Sequence, residues 1–91
     1  MNARRVVIAG RVQRIGYRQW MVAEARRLGV DGWVRNRADG TVEALVAGDI
    51  AAVQALLSAC RRGPLLARVD TITEEFVEPP DQPGFRRLPD A

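Results

Sequence analysis

Apolar residues recur at helical spacing in two stretches of this chain, and each stretch lies between short β-branched runs. Tyr17, Met21, Ala25 and Leu28 form the first, with Glu24, Arg26 and Arg27 on the other side and Gly29 as a C-terminal cap. Ile50, Val53, Leu56, Leu57 and Cys60 form the second; Asp49 caps its start and Gly63-Pro64 ends it. Arg5–Ala9, Asp31–Asn36, Thr41–Ala47 and Arg68–Phe76 read as strands, with Arg37-Ala38-Asp39-Gly40 a tight loop between the middle two. Glu78–Pro83 is a proline-rich loop, and Phe85–Leu88 reads as a short closing strand. The order β-α-β-β-α-β predicts an α/β (α+β) two-layer sandwich. Its antiparallel sheet carries two helices on one face, the ferredoxin-like arrangement, with a short extra C-terminal strand.

The length of 91 residues fits a single domain, residues 1–91 with a core of about 5–88. A domain of this size buries only about 60% of its unfolded surface, so its site must be shallow. The residue inventory then narrows the chemistry. There is no His, a single Ser at 58, a single Tyr at 17 and a single Cys at 60. Ser-His and Cys-His nucleophilic sites are impossible, as is any histidine-dependent metal site. Whatever chemistry occurs must use Arg, Asn, carboxylates or the backbone. One cysteine permits no intrachain disulfide and suits a reducing, cytoplasmic setting. No segment approaches the roughly 18 apolar residues of a membrane span.

All 14 basic side chains are arginines, set against 11 acidic ones for a net charge of +3. GC-rich codon bias accounts for most of them, although the guanidinium fork suits phosphate and carboxylate ligands. So small a charge does not by itself imply nucleic-acid binding. RNA-recognition modules share this element order but stack bases on aromatics from their first and third strands, and Arg5–Ala9 and Thr41–Ala47 contain none. Nucleic acid and membrane are therefore excluded as expected partners.

The junction Gly10-Arg11-Val12-Gln13-Arg14-Ile15-Gly16-Tyr17-Arg18 leads from the first strand into the first helix. Ile15 and Gly16, just before the helix, offer no capping side chain, so its first N–H groups stay open. Arg18 stands in the first turn, where the helix dipole disfavours a cation. A bound anion would resolve both features, accepting the N–H groups and pairing with Arg18. Water at the helix start and a surface carboxylate on Arg18 would resolve them equally. The loop lacks the Lys-Ser/Thr pair of a Walker A motif and the glycine spacing of a dinucleotide fingerprint. Asn36 ends the second strand, where it either starts the following turn through its own backbone or holds a water through its amide.

These residues resemble the acylphosphatase family. Gly10-x-Val12-Gln13-x-Ile15-Gly16-Tyr17-Arg18 is similar to that family's phosphate-loop signature, Gly-x-Val-Gln-Gly-Val-x-Phe/Tyr-Arg. Gly32-Trp33-Val34-Arg35-Asn36-x-x-x-Gly40-Thr41-Val42 resembles its second signature, with Gly48 at the expected spacing. Gly63-Pro64-x-x-Ala67-x-Val69 and Gly84-Phe85, followed by Arg86 or Arg87, extend the likeness over residues 5–88.

The resemblance implies hydrolysis of acyl phosphates to a carboxylate and inorganic phosphate, with no metal or cofactor; a monomer is the expected state, although nothing in the sequence fixes it. It makes Val12, Gln13, Arg14, Ile15, Gly16, Tyr17 and Arg18 the phosphate-binding loop. Arg18 and Asn36 become the catalytic residues, Arg18 binding the phosphoryl group and Asn36 orienting the attacking water. Such a reaction needs positioning and charge stabilisation more than covalent chemistry, which suits a chain without His. One position departs from the pattern, since Arg14 stands where the family has glycine. If φ is positive there, arginine strains the backbone by about 1–3 kcal/mol. Either it then distorts the loop, leaving a weakened phosphate-binding or interaction domain, or the loop adapts and Arg14 adds a second cation near the phosphate or simply points into solvent.

Overall fold

Alternation along the first strand sets the two layers apart. In β1 (Asn2–Arg11) Val6 and Ile8 are fully buried, while Arg5 and Val7 are half-buried, because successive strand residues face opposite sides of a sheet. The computed structural model describes residues 2–91. After β1 come α1 (Tyr17–Leu28), β2 (Asp31–Asn36), β3 (Val42–Gly48), α2 (Ile50–Arg62), β4 (Arg68–Phe76) and β5 (Phe85–Arg87). Val6, Ile8, Val34, Val42 and Val46 from the sheet form one core with Met21 and Ala25 of α1 and Val53 and Leu56 of α2. The strands lie in the order β4-β1-β3-β2-β5.

The ferredoxin-like expectation holds, but the sheet is mixed rather than antiparallel. β1 pairs antiparallel with β3 and β4, and β2 pairs antiparallel with β3, whereas β5 runs parallel to β2. The route of the chain explains the exception. β4 ends at the opposite end of the sheet from where β2 ends, and residues 77–84 cross to the far edge. Four strand spacings amount to about 19 Å, and eight residues reach about 26 Å. A strand entering β2's edge from that end must run with β2. Arg26 of α1 then fixes β5 from above, donating to the Phe85 carbonyl from Nη2 at 3.1 Å and Nε at 3.3 Å.

Three strands differ in extent from the sequence-based expectation: β1 reaches from Asn2 to Arg11, β3 runs from Val42 to Gly48, and β5 stops at Arg87. β1 extends back to Asn2 because Asn2 and Ala3 pair with Gly48 and Ala47 of β3. β3 starts at Val42 because Thr41 belongs to the turn, its N–H and hydroxyl both donating to Asp39 Oδ1 at 3.0 and 2.6 Å.

Tyr17 joins the two helices. It is 1% exposed, its ring meets Trp20 edge-on with centroids 5.3 Å apart, and its hydroxyl donates to the Cys60 carbonyl at 2.6 Å. Burial raises the Tyr17 hydroxyl far above its ordinary pKa, so it remains a donor. Burial likewise pushes the Cys60 thiol up to about 12, which keeps it an inert packing group.

On the sheet face away from the helices, Glu43 is 4% exposed. It faces Arg35 across the β2–β3 pair and lies diagonal to Arg5 of β1. Arg5 Nε donates to Glu43 Oε2 at 2.6 Å and Arg35 Nε to Oε1 at 2.7 Å. Burial alone would raise the Glu43 pKa; the hydrogen bonds from Arg35 and Arg5 outweigh it and hold the carboxyl below its usual range. A depressed carboxylate stabilises the fold fully above the unfolded glutamate pKa of about 4.3 and less as pH falls through the folded value. Glu43→Gln should therefore cost about 1–3 kcal/mol at neutral pH and flatten the loss of stability on acidification. Chemical denaturation across that pH range checks both effects.

Candidate active site

Three strands bring their ends to one rim. Ile8 pairs with Val42, and Val42 pairs with Asn36, so β1, β3 and β2 present a row of residues just below the loop after β1. A register shift between Ala9 and Gly10 bends β1 toward that loop. Gly10 allows the bend because a Cβ there would lie 2.2 Å from the Arg68 carbonyl oxygen.

The loop is pinned on both sides of its turn. Val12 is 1% exposed and anchors it in the core. Gln13 Nε2 donates to the carbonyls of both Arg37 and Thr41 at 2.9 Å, tying the loop to the β2–β3 hairpin. Arg14 has φ 65° and Gly16 φ 82°, so left-handed residues flank Ile15. Left-handed turns of this kind gather successive N–H groups into an anion-binding concavity. Arginine thus holds the conformation that glycine adopts freely.

Gly16 is also the N-cap of α1, with no side-chain cap and no acidic residue in the first turn. The first bond closing the helix runs from Trp20 N–H to the Gly16 carbonyl at 3.0 Å. Helix geometry leaves the N–H groups of Gly16, Tyr17, Arg18 and Gln19 without intrahelical acceptors. All four residues line one pocket of about 60 Å³, together with Val12, Arg14, Asn36 and Arg87. That volume is far below the roughly 300–1,000 Å³ of sites for nucleotides or drug-sized ligands, and it suits a phosphoryl group.

Asn36 enters the pocket through strand periodicity. Gly32, Val34 and Asn36 share the helix-facing side of β2, and Asn36 is 6% exposed. Its Oδ1 is buried and has no hydrogen-bond partner among the described residues. The turn-starting role falls to Asp39, whose carboxylate bonds Thr41 and is held below its usual pKa mainly by that hydroxyl. Asn36 is thereby left with a free buried acceptor, a group that costs stability unless something donates to it.

Among the residues expected from sequence, Arg14, Gly16, Arg18 and Asn36 converge on the pocket, and Val12 and Tyr17 line it while their side chains are buried in the core. Gln13 and Ile15 do not line it; Gln13 turns to the hairpin and Ile15 packs against the core. Arg18 reaches a carboxylate, with Nη1 2.7 Å from Asp90 Oδ1. Gln19, Arg87 and Asp90 were absent from the sequence-based site. Period-two spacing from the buried Phe85 could have placed Arg87 on the inner side of β5. Nothing local marks Asp90. The pocket as a whole is cationic: a helix N-terminus and three arginines, of which only Arg18 has an acidic partner among the described residues. Such a site has the positive charge and open N–H groups that suit an oxyanion, and it offers one buried amide oxygen to a donor.

A family model described as Acylphosphatase matches residues 4–87. The chain is 64% identical over 85 residues to an acylphosphatase of Acidiphilium cryptum, covering 93% of each chain. It is 58% identical over 84 residues to an acylphosphatase of Rhodospirillum rubrum, covering 92% of each. The crystal structure of acylphosphatase from Bacillus subtilis matches the fold with a TM-score of 0.91 at 31% identity, over 97% of this chain and 99% of that one.

Removing the link between loop and hairpin should loosen the pocket without emptying the core. Gln13→Leu keeps the side-chain bulk but loses both donated bonds, and it should cost about 1–2 kcal/mol of stability. Inorganic phosphate should bind more weakly to this variant, as followed by amide shifts of Arg14–Gln19 in an NMR titration.

Proposed function

Because the chain belongs to the acylphosphatase family and so hydrolyses acyl phosphates to a carboxylate and inorganic phosphate, we propose that Arg18 and the open N–H groups of the loop bind the phosphoryl group while Asn36 orients the attacking water. One observation carries this assignment. The buried, unpartnered Oδ1 of Asn36 belongs to a residue lining the same pocket as Arg18 and the open helix start.

The N–H groups at Gly16–Gln19 and the Arg18 guanidinium face the charge that spreads over the phosphoryl oxygens as the bond breaks. Asn36 Oδ1 accepts a hydrogen bond from water and so holds its oxygen toward phosphorus. The water oxygen attacks phosphorus, and the P–O bond to the acyl group breaks. Its electron pair leaves on the carboxylate, and the water's proton passes to a phosphoryl oxygen. A carboxylate is stable without protonation, so no general acid is required. No residue forms a covalent intermediate, which agrees with the Cys60 thiol being buried and the Tyr17 hydroxyl being bonded in the core.

The reaction is assigned to a single chain acting without metal, in the cytoplasm. The sequence has no His, and no group of three or more Cys, Asp or Glu among the described residues is placed to hold a metal ion. The free thiol of Cys60 suits a reducing compartment. Among the described residues no helix is long and apolar enough to cross a membrane.

Hydrolysis of acetyl phosphate should persist in excess EDTA. Arg18→Ala should lower kcat/KM by about 10²–10³-fold and abolish inhibition by inorganic phosphate. Asn36→Ala should lower kcat by about 10²-fold, with phosphate inhibition retained. Steady-state kinetics of the two variants separates the roles, and equal loss of phosphate inhibition in both would contradict the division.

A further inference from the structure

We propose that Asp90 is the resident counter-ion of the phosphoryl site, so that its carboxylate sets the affinity for substrate and for released phosphate. This rests on the reading that Arg18 binds the phosphoryl group. Asp90 Oδ1 accepts from Arg18 Nη1 at 2.7 Å, so the anion beside Arg18 in this structure is a carboxylate of the chain itself.

The contact is delivered by the fold. After β5 the chain continues along β2, with Leu88 N–H donating to the Val34 carbonyl and Ala91 N–H to the Asn36 carbonyl, both at 2.9 Å. Asp90 lies between these two anchors. Pro89, with its fixed φ and no N–H to compete for an acceptor, stiffens the segment that carries it. The backbone of the same segment is thus bonded to Asn36 while its carboxylate is bonded to Arg18.

The strength of the contact suits an exchangeable anion. The Arg18 side chain is 20% exposed and the Asp90 side chain 65% exposed, and pairs this open to water are weak and screened by salt. A phosphoryl dianion offers Arg18 a higher charge and reaches the open N–H groups of Gly16–Gln19 as well. It cannot share the guanidinium with Asp90 without like-charge repulsion. Binding is therefore an exchange in which Asp90 swings outward as the phosphoryl group enters. Because inorganic phosphate makes the same exchange, Asp90 weakens substrate and product together and favours product release.

Steady-state hydrolysis of acetyl phosphate by Asp90→Asn, at low ionic strength, tests this. KM and the inhibition constant for inorganic phosphate should both fall by about two- to fivefold, and kcat should move by less. The difference should shrink at high salt, and Asp90→Glu, which keeps the charge, should restore values near the parent's. A KM that rises, or that stays unchanged, overturns the proposal, because a carboxylate that merely held Arg18 in place would help binding. The same change made together with Arg18→Ala should have no effect on KM. If Arg18→Ala itself leaves phosphate inhibition intact, the assignment of the phosphoryl site fails; if it abolishes inhibition while Asp90→Asn does nothing, only the counter-ion role fails.

Discussion

Tyr17 holds the start of α1 where the site needs it. Its ring is enclosed by the core and its hydroxyl is bonded to the Cys60 carbonyl of the second helix. A helix start that carries several unpaired N–H groups would otherwise fray, since nothing intrahelical restrains it. Here the first turn is fixed from beneath by packing, which allows its upper side to stay uncapped and open to an anion. The neighbouring residue, Arg18, gains its position from the same anchor. Loop and hairpin are then registered to that turn through Val12 and Gln13. Stability is thus supplied on the core side of one helical turn, and unpaired N–H groups are exposed on the other.

Much of this was legible in the sequence. The helical spacing of Tyr17, Met21, Ala25 and Leu28, and of the second apolar stretch, located both helices, because burial on one face leaves a periodic trace. The missing cap at Ile15-Gly16 was visible as an absence of side chains able to accept a hydrogen bond. Asn36 was marked by its place at the end of a strand, its turn-starting and water-holding roles left open until the family resemblance pointed to the second; its inner-face position emerged with the fold. Other features leave no local trace. The direction of β5 depends on where residues 77–84 cross the sheet, a consequence of chain path rather than of any residue in β5. The bond from Gln13 to the hairpin spans 24 and 28 positions, and that from Arg18 to Asp90 spans 72. Pairings over such separations arise only once the fold has closed.

The arginines divide by surroundings rather than by type. Arg5 and Arg35 are committed to the buried Glu43 on the open face of the sheet, where two donors offset the burial of one carboxylate. Arg14 and Arg87 stand at the pocket with no ion-pair partner among the described residues. Arg18 lies between these extremes, half-sheltered and paired with an exposed acid. Composition bias explains why the cations are arginines; neighbouring carboxylates decide which remain available to an incoming anion. Arg14 lines the pocket while its backbone holds a conformation usually left to glycine.

The parallel placement of β5 gives the two ends of the domain unequal standing. Asn2 pairs with Gly48 at the end of the sheet far from the pocket, whereas Ala91 is bonded to the backbone of Asn36. Material fused ahead of residue 2 would project from the distal side and leave the entrance clear. Material fused after residue 91 would begin at the mouth of the site. A carrier protein, an affinity tag or a surface tether is therefore best attached at the first end.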